Sequence, residues 1–527
     1  MRDFQLPGRS PAMAMNGMAA THNPHAARVA IEVLQRGGAA IDAAVAAAAV
    51  LAVVEPQQTG IGGDCFVIMA KNGTNDVVAY NGSGRTPLGL SASRLTVEGS
   101  QLEDSSPHTV TVPGAIDAWT RLVADHGRKE MRELLAPAIA FARDGFPVHP
   151  RVARDWAEDE PRLRRDPNAT RVFLPRGRAA RAGEVFRNPG LAEALSLIAA
   201  KGRDGFYKGA VANDIVTYLR SLGGYHTVED FEMAAGEYVQ PVRTDYRGME
   251  VCQIPPNNQG ITALLMLNIL AGFDLASLAP FGAERLHLEI EAGRLAYRDR
   301  DAFVCDTSHA EFPTEEFLSK DYAARLRNGI RRDRMLDILP PPLMRKSDTV
   351  YLTVVDRDRN CVSFINSVYF GFGSTRVSPA FGITLQNRGL GFSLDPVHPN
   401  AIGPGKRPLH TIMPGLAMKE GRPFLCYGVM GGDYQPFGHT HVLTGIVDFG
   451  LDPQEAIDQP RVFHSQGDTL VERGVPANAL AELSKLGHRI VEAPEPLGGG
   501  QMIKIDWSEG VLIGGSDPRM DGCAIGY

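Results

Sequence analysis

The chain has 527 residues, 44% of them hydrophobic and 22% charged, with a formal net charge of −7. This is the composition of a globular protein with room for roughly two to four domains, or for one large interleaved one. The mild acidic balance leaves no electrostatic footprint for nucleic acid or for an anionic membrane.

Residues 1–18 contain no apolar run of signal-peptide length. The six cysteines, Cys65, Cys252, Cys305, Cys361, Cys426 and Cys523, include no C-x-x-C pair. That argues against a disulfide framework or a zinc site and for a reducing, cytoplasmic setting; neither a metal nor another cofactor is expected.

In chain order, a short strand is expected within 12–20, then a long helical stretch over 25–54 broken at Gly37-Gly38. Its alanine-rich half, 39–54, is too short to span a bilayer and carries Asp42, so it reads as a buried helix. Thr59-Gly60-Ile61-Gly62-Gly63-Asp64 precedes a strand over 65–70. A glycine run placed before a strand is not a dinucleotide fingerprint; it suits a tight turn and close approach of another backbone. Arg85 lies in the loop 81–87, and Val112-Pro113-Gly114 starts a helix carrying Trp119. Residues 130–335 look mostly helical, apart from a strand over 246–254 and the loop 255–260. Beyond residue 349 the pattern turns to strands, at 350–356, 361–369, 382–386, 411–418, 423–429, 501–506 and 511–514, with helices at 438–449 and 477–487. Helices first and strands later fit either separate domains or one layered α/β domain fed by both halves.

The informative stretch is 347–375. Val350, Leu352 and Val354 alternate with Tyr351, Thr353 and Val355, a polar turn follows at 356–360, and a second strand runs over 361–369. This is a β-hairpin pattern. Pro340-Pro341-Pro342 and Arg345-Lys346-Ser347-Asp348 before it are loop composition. Thr349 therefore stands where a loop becomes a buried strand. A hydroxyl there can attack the carbonyl of Asp348; hydrolysis of the resulting ester makes Thr349 a chain terminus. Its freed α-amino group, titrating at about 8, can then act as base for its own hydroxyl. A lone Ser-Asp-Thr is common, and an ordinary threonine at the start of a strand is the plain alternative. There is no G-x-S-x-G elbow, H-E-x-x-H or Walker loop. His439-Thr440-His441 is a possible metal pair but reads as a capped helix start, since no carboxylate or cysteine completes a ligand set.

Taken in order, these segments resemble the γ-glutamyltransferase family of N-terminal-nucleophile hydrolases. The resemblance runs from Gly17 to the C-terminus. It rests on the 37–45 helix, Thr59–Gly63, Val112-Pro113-Gly114, Tyr246-Arg247-Gly248, Pro255-Pro256, Asp348-Thr349, Val354-Val355-Asp356, Lys406-Arg407-Pro408-Leu409 and Gly431-Gly432. It implies a four-layer αββα sandwich and self-cleavage between Asp348 and Thr349 into chains 1–348 and 349–527 that remain one folded unit. It makes Thr349 the nucleophile, Ser367 its hydroxyl partner, and Gly431 and Gly432 the oxyanion-hole donors.

The departures bear on substrate. Where the transferases carry an acid for the substrate's α-ammonium, this chain has Gly391; a family glutamine is Arg388, an asparagine is Tyr369, and a Ser-Ser pair is His410-Thr411. Arg85 stands near the family's carboxylate-binding arginine. An ammonium would be desolvated without a partner, whereas a guanidinium suits a carboxylate. The expected substrate is a small anionic amide, and the branch that fits is oxamate amidohydrolase, yielding oxalate and ammonia in a purine-catabolic setting. A γ-glutamyltransferase or glutathione hydrolase, a cephalosporin-type acylase and an uncleaved binding or structural protein are the alternatives. A homo-oligomer is left open.

Overall fold

The computed structural model describes residues 8–97, 102–337 and 348–527, and for Asp348 the backbone alone. The loop expected at 340–347 lies outside the described residues.

Strand alternation sets the architecture. Val350, Leu352 and Val354 face a core built from helix residues such as Val45, Leu51, Ile116 and Leu122. Tyr351 and Val355, on the other face of the same strand, meet Leu416, Met418, Cys426 and Ile503 of a second sheet. The far face of that second sheet, with Val251, Leu425, Tyr427 and Val429, is covered by Leu264, Leu288 and Val442 of further helices. Three apolar interfaces separate four layers, helix on sheet on sheet on helix, which is the αββα sandwich expected. Each large side chain in them contributes about 1.5–3 kcal/mol through burial.

Both sheets draw on both halves of the chain. One runs Cys523–Gly526, Met18–Thr21, Asp348–Val355, Cys361–Tyr369, Asp64–Ala70, Val77–Gly82, Glu237–Val239. The other runs Ala12–Ala14, Val511–Ser516, Gly499–Asp506, Arg422–Met430, Gly415–Lys419, Met249–Gln253, Val242–Tyr246. The reading of two separate domains is therefore excluded: neither sheet can form without strands from both halves.

The helical stretch near the N-terminus is two helices, Pro24–Gln35 and Ala40–Val54, parted at Gly37, whose φ of +83° suits glycine. Every residue of the second helix is buried. No helix among the described residues is long and apolar enough to cross a membrane. All six cysteines are free thiols.

Three expectations need correction. The strand over 246–254 is a hairpin, Val242–Tyr246 with Met249–Gln253, because Arg247 and Gly248 take φ of +55° and +78° and turn the chain. Residues 382–386 form only isolated bridges, Val377 with Thr384 and Leu385 with Gly62. His439 and His441 lie inside the helix Gln435–Val447, not at its start, and a carboxylate does reach one of them: His441 Nδ1–H donates to Glu289 at 2.7 Å.

Candidate active site

Strand register delivers Thr349. Asp348 pairs with Tyr369 but Val350 with Asn366, so Ser367 and Val368 together oppose Thr349 across a β-bulge. Such a bulge breaks the ladder locally and re-aims side chains. The Thr349 hydroxyl donates to Ser367 Oγ at 3.2 Å, and both residues are fully buried. Gly63 is needed behind them: a Cβ there would lie 2.2 Å from the carbonyl oxygen of Ser367. The glycine run before the strand thus serves close backbone approach, as its composition suggested.

Arg388 opens a short 3-10 turn, Arg388–Gly391, beside the end of the Cys361–Tyr369 strand. Asn387 holds that turn in place by accepting from the Phe370 N–H at 3.2 Å. The Arg388 guanidinium donates to Ser367 Oγ at 3.1 Å and to Thr411 Oγ1 at 2.8 Å, and lies 4.2 Å from the centre of the Tyr369 ring. Arg388 is fully buried, its Nε has no hydrogen-bond partner, and no carboxylate among the described residues lies within ion-pair distance. Burial pulls its pKa down to about 10, against the opposing pull of Tyr369 and, further off, Asp64 and Asp433. Tyr369 has φ of +84°, a conformation that a bulky residue adopts only when its surroundings impose it.

Tyr369, Thr411, Gly391 and Asp433 line a cavity of about 720 Å³. A Cβ on Gly391 would stand 2.7 Å from the Leu409 carbonyl oxygen, so an acidic side chain does not fit there without moving backbone.

Gly431 and Gly432 follow the Arg422–Met430 strand with φ of +122° and +60°. Gln259 ties this corner to the rest: its Nε2 donates to the carbonyls of Thr411 at 2.5 Å and Gly432 at 3.0 Å. Its Oε1 accepts from Arg300 at 2.7 Å, and Arg300 also donates to Asp433 at 2.7 Å. An unbroken chain of contacts runs from Thr349 through Ser367, Arg388, Thr411 and Gln259 to the glycine pair.

Two predicted residues stand apart. His410 does not line the cavity: its Nε2–H donates to Asp64 at 3.1 Å and its ring edges against Phe66. Burial and the nearby Arg388 push its pKa to about 3, so it is neutral. It anchors the backbone that presents Thr411. Arg85 is likewise absent from the cavity wall, because its guanidinium is taken up by Asp306 at 3.2 Å and the Gly405 carbonyl at 3.1 Å.

Sequence reading missed Gln259, Arg300, Asp433 and Asp64. The amide-rich Asn257-Asn258-Gln259 after a strand was a usable signal for the first. Asp64, which gathers N–H donors from Gly84, Gly114, Gln386 and His410, was visible only as the end of a glycine run.

One group among the described residues has metal-ligand types together: His287, Glu291 and His488. Its atoms are already committed. His287 Nε2–H donates to the Arg331 carbonyl at 2.6 Å, His287 and His488 share a 2.8 Å hydrogen bond, and Glu291 accepts from Arg294 and the Leu336 N–H. A satisfied structural network accounts for it.

The family profile for gamma-glutamyltranspeptidase matches residues 26–527. The glutathione hydrolase-like YwrD proenzyme of Bacillus subtilis is 40% identical, over 96% of this chain and 97% of that one. The oxamate amidohydrolase proenzyme of Klebsiella pneumoniae is 33% identical, over 98% and 100%. The crystal structure of cephalosporin acylase from Bacillus halodurans superposes with a TM-score of 0.94 at 40% identity, covering 100% of this chain and 99% of that one.

Proposed function

From the premise that the chain belongs to the gamma-glutamyltranspeptidase family and is an enzyme of amide bonds, we propose that it is a self-processing threonine amidohydrolase acting on a small anionic amide, oxamate above all. Cleavage before Thr349 yields chains 1–348 and 349–527; the proenzyme names of its relatives support this step. The Thr349 hydroxyl, losing its proton to its own α-amino group, attacks the substrate amide carbonyl. The N–H groups of Gly431 and Gly432 receive the oxyanion. Ammonia leaves with the proton, and water hydrolyses the acyl-threonine ester to oxalate. Ser367 orients the nucleophile, while Arg388 and Thr411 take the substrate carboxylate with Tyr369 stacked beneath.

One observation carries this reading: a fully buried guanidinium with a partnerless Nε, and with no carboxylate among the described residues at ion-pair distance, stands one hydroxyl away from Thr349. A buried charge held without a counter-ion is costly unless a ligand supplies one. The closed space at Gly391 adds that an ammonium has no acid in the family position.

A γ-glutamyl hydrolase is the second reading, favoured by the carboxylates of Asp301 and Asp433 on the cavity wall, although both are paired with Arg300. Ammonia release from oxamate and from glutamine by the cleaved enzyme separates the two. Release from oxamate alone supports the proposal; release from glutamine alone replaces it.

A further inference from the structure

One buried carboxylate is bonded to both arms of the anion site. Asp64 opens the strand Asp64–Ala70 and pairs across the ladder with Ser367, the hydroxyl partner of Thr349. It is fully buried. Its Oδ1 accepts from the Gly84 N–H at 2.9 Å, the Gly114 N–H at 3.1 Å and Gln386 Nε2 at 2.9 Å. Its Oδ2 accepts from His410 Nε2 at 3.1 Å. Two of these donors lead to the groups proposed for the substrate carboxylate. Gln386 stands two residues before Arg388, and its backbone N–H donates to the Gly62 carbonyl at 3.0 Å, so the start of one strand holds it twice. His410 directly precedes Thr411. Arg388 then meets Thr411 Oγ1 at 2.8 Å and closes the ring.

That ring has one hydrogen-bond polarity. The Ile412 N–H donates to His410 Nδ1 at 3.4 Å, which leaves the imidazole proton on Nε2, facing Asp64. Burial and the nearby Arg388 keep the imidazole neutral. Every hydrogen-bond partner of the Asp64 carboxylate therefore donates, and only an acceptor-only side chain satisfies them all. Asparagine has the same shape but carries an NH2 on one side. Turned toward His410, that NH2 meets an N–H; turned the other way, it meets three donors. Either setting leaves a buried donor facing a donor, and the arm that carries it must shift. The contact also joins the two sheets. Asp64 belongs to one, and the chain beyond Thr411 runs into Gly415–Lys419 of the other.

We propose that Asp64 is the positioning residue of the carboxylate clamp: it fixes the His410 tautomer and sets Arg388 and Thr411 at the spacing that an anionic acyl group requires. This rests on the reading of Arg388 as the carboxylate site. Asp64 touches no substrate and acts through Gln386 and His410. Thr349 and Ser367 are placed by the backbone ladder, in which the Asp64 side chain has no part. Its loss therefore falls on binding rather than on the chemical step.

The test is steady-state kinetics of the cleaved enzyme with oxamate, together with the Kd of oxalate. In Asp64→Asn the KM for oxamate and the Kd of oxalate should rise together, roughly tenfold to a hundredfold, as a charge-assisted contact is set out of place. kcat should fall by no more than about threefold, the pattern of lost ground-state binding. Adding His410→Gln to Asp64→Asn offers an amide oxygen to the NH2 introduced at position 64, and most of the lost affinity should return. His410→Leu alone leaves the Asp64 contacts with Gly84, Gly114 and Gln386 in place and should raise KM about tenfold; it carries the test if Asp64→Asn does not fold. Unchanged KM and Kd in the single variants overturn the proposal. So does a loss confined to kcat, or a double variant that recovers no affinity; oxamate turnover by the parent enzyme then leaves the carboxylate reading standing. A parent that turns over no oxamate but hydrolyses γ-glutamyl-p-nitroanilide overturns that reading and the proposal with it.

Discussion

Replacing Arg388 with methionine should make the protein more stable and nearly inactive. Burial pulls the guanidinium's pKa from its usual range down to about 10, which corresponds to about 3 kcal/mol of desolvation not repaid in the fold. The folded pKa lies below the unfolded one, so the two states differ in bound protons only above about pH 10. Below that the full penalty stands, neutral pH included. Methionine is unbranched and fits an irregular apolar space. The variant loses two hydrogen bonds, to Ser367 and Thr411, each with a net contribution of about 1 kcal/mol. The balance is a gain of about 1 kcal/mol. Against that, a bidentate carboxylate contact to a buried guanidinium contributes about 3–4 kcal/mol, so kcat/KM for oxamate should fall by a factor of about 10² to 10³. Oxalate, the product of the proposed reaction, should separate the two effects in thermal melts of the cleaved enzyme. At about a hundred times its Kd it stabilises the parent by about 2.7 kcal/mol and the variant not at all. A variant less stable than the parent by more than about 2 kcal/mol, with its oxalate shift intact, would show that Arg388 is a structural residue and refute the reasoning.

Thr349→Ala should leave a single uncut chain by intact mass and no turnover; cleavage surviving this change would remove Thr349 from both roles. Stability should fall as pH drops from about 7 to 5. Burial lowers the pKa of His22 and His226 to about 4 and of His439 to about 3. The unfolded chain then binds more protons than the folded one up to about 6.5, and each group contributes about 2 kcal/mol of loss at about pH 5. Glu55, raised to about 8 by burial, works in the opposite sense but is outnumbered; a flat denaturant midpoint across that range would refute the assignment. Gly391→Asp should fail to create γ-glutamyl-p-nitroanilide hydrolysis and should lower stability, because its Cβ meets the Leu409 carbonyl at 2.7 Å; a gain of that activity would show that the loop yields easily.

Local signals in the sequence reached far in this chain. Period-two alternation at 350–355 placed three residues toward helices and two toward the second sheet, and Gly37-Gly38 parted two helices. What stayed hidden depends on contacts between distant segments. Arg247-Gly248 reads as a continuation of a strand until positive φ at both turns it back. Residues 382–386 have strand composition, but their neighbours are single bridges to Gly62 and Val377 rather than a ladder. Arg85 was placed by its loop; its side chain was captured by Asp306, some 220 positions along the chain. His410 was matched by position to a substrate-binding pair, yet the strand-borne Asp64 draws its ring away while its neighbour Thr411 keeps the hydroxyl on Arg388.

That last arrangement explains how an unmatched cation survives in the site. Asp64 and Asp433 are the carboxylates near enough to favour the charged form of Arg388, and each is occupied elsewhere. Asp64 accepts from two glycine N–H groups, the Gln386 amide and the neutral His410 ring. Asp433 accepts from Arg300. An internal ion pair on Arg388 would have to be broken before an anion could bind there, and the described carboxylates make none. Holding the acids on other donors keeps the guanidinium charged yet available. Its lone partners are then hydroxyls and an aromatic face, which yield to a carboxylate without leaving a second buried charge behind. The desolvation is met during folding, so binding an anion need not repeat it. If Arg388 takes the substrate carboxylate as proposed, Gly84, Gly114, Gln386 and Arg300, which occupy the acids, matter to specificity as well as Arg388 itself.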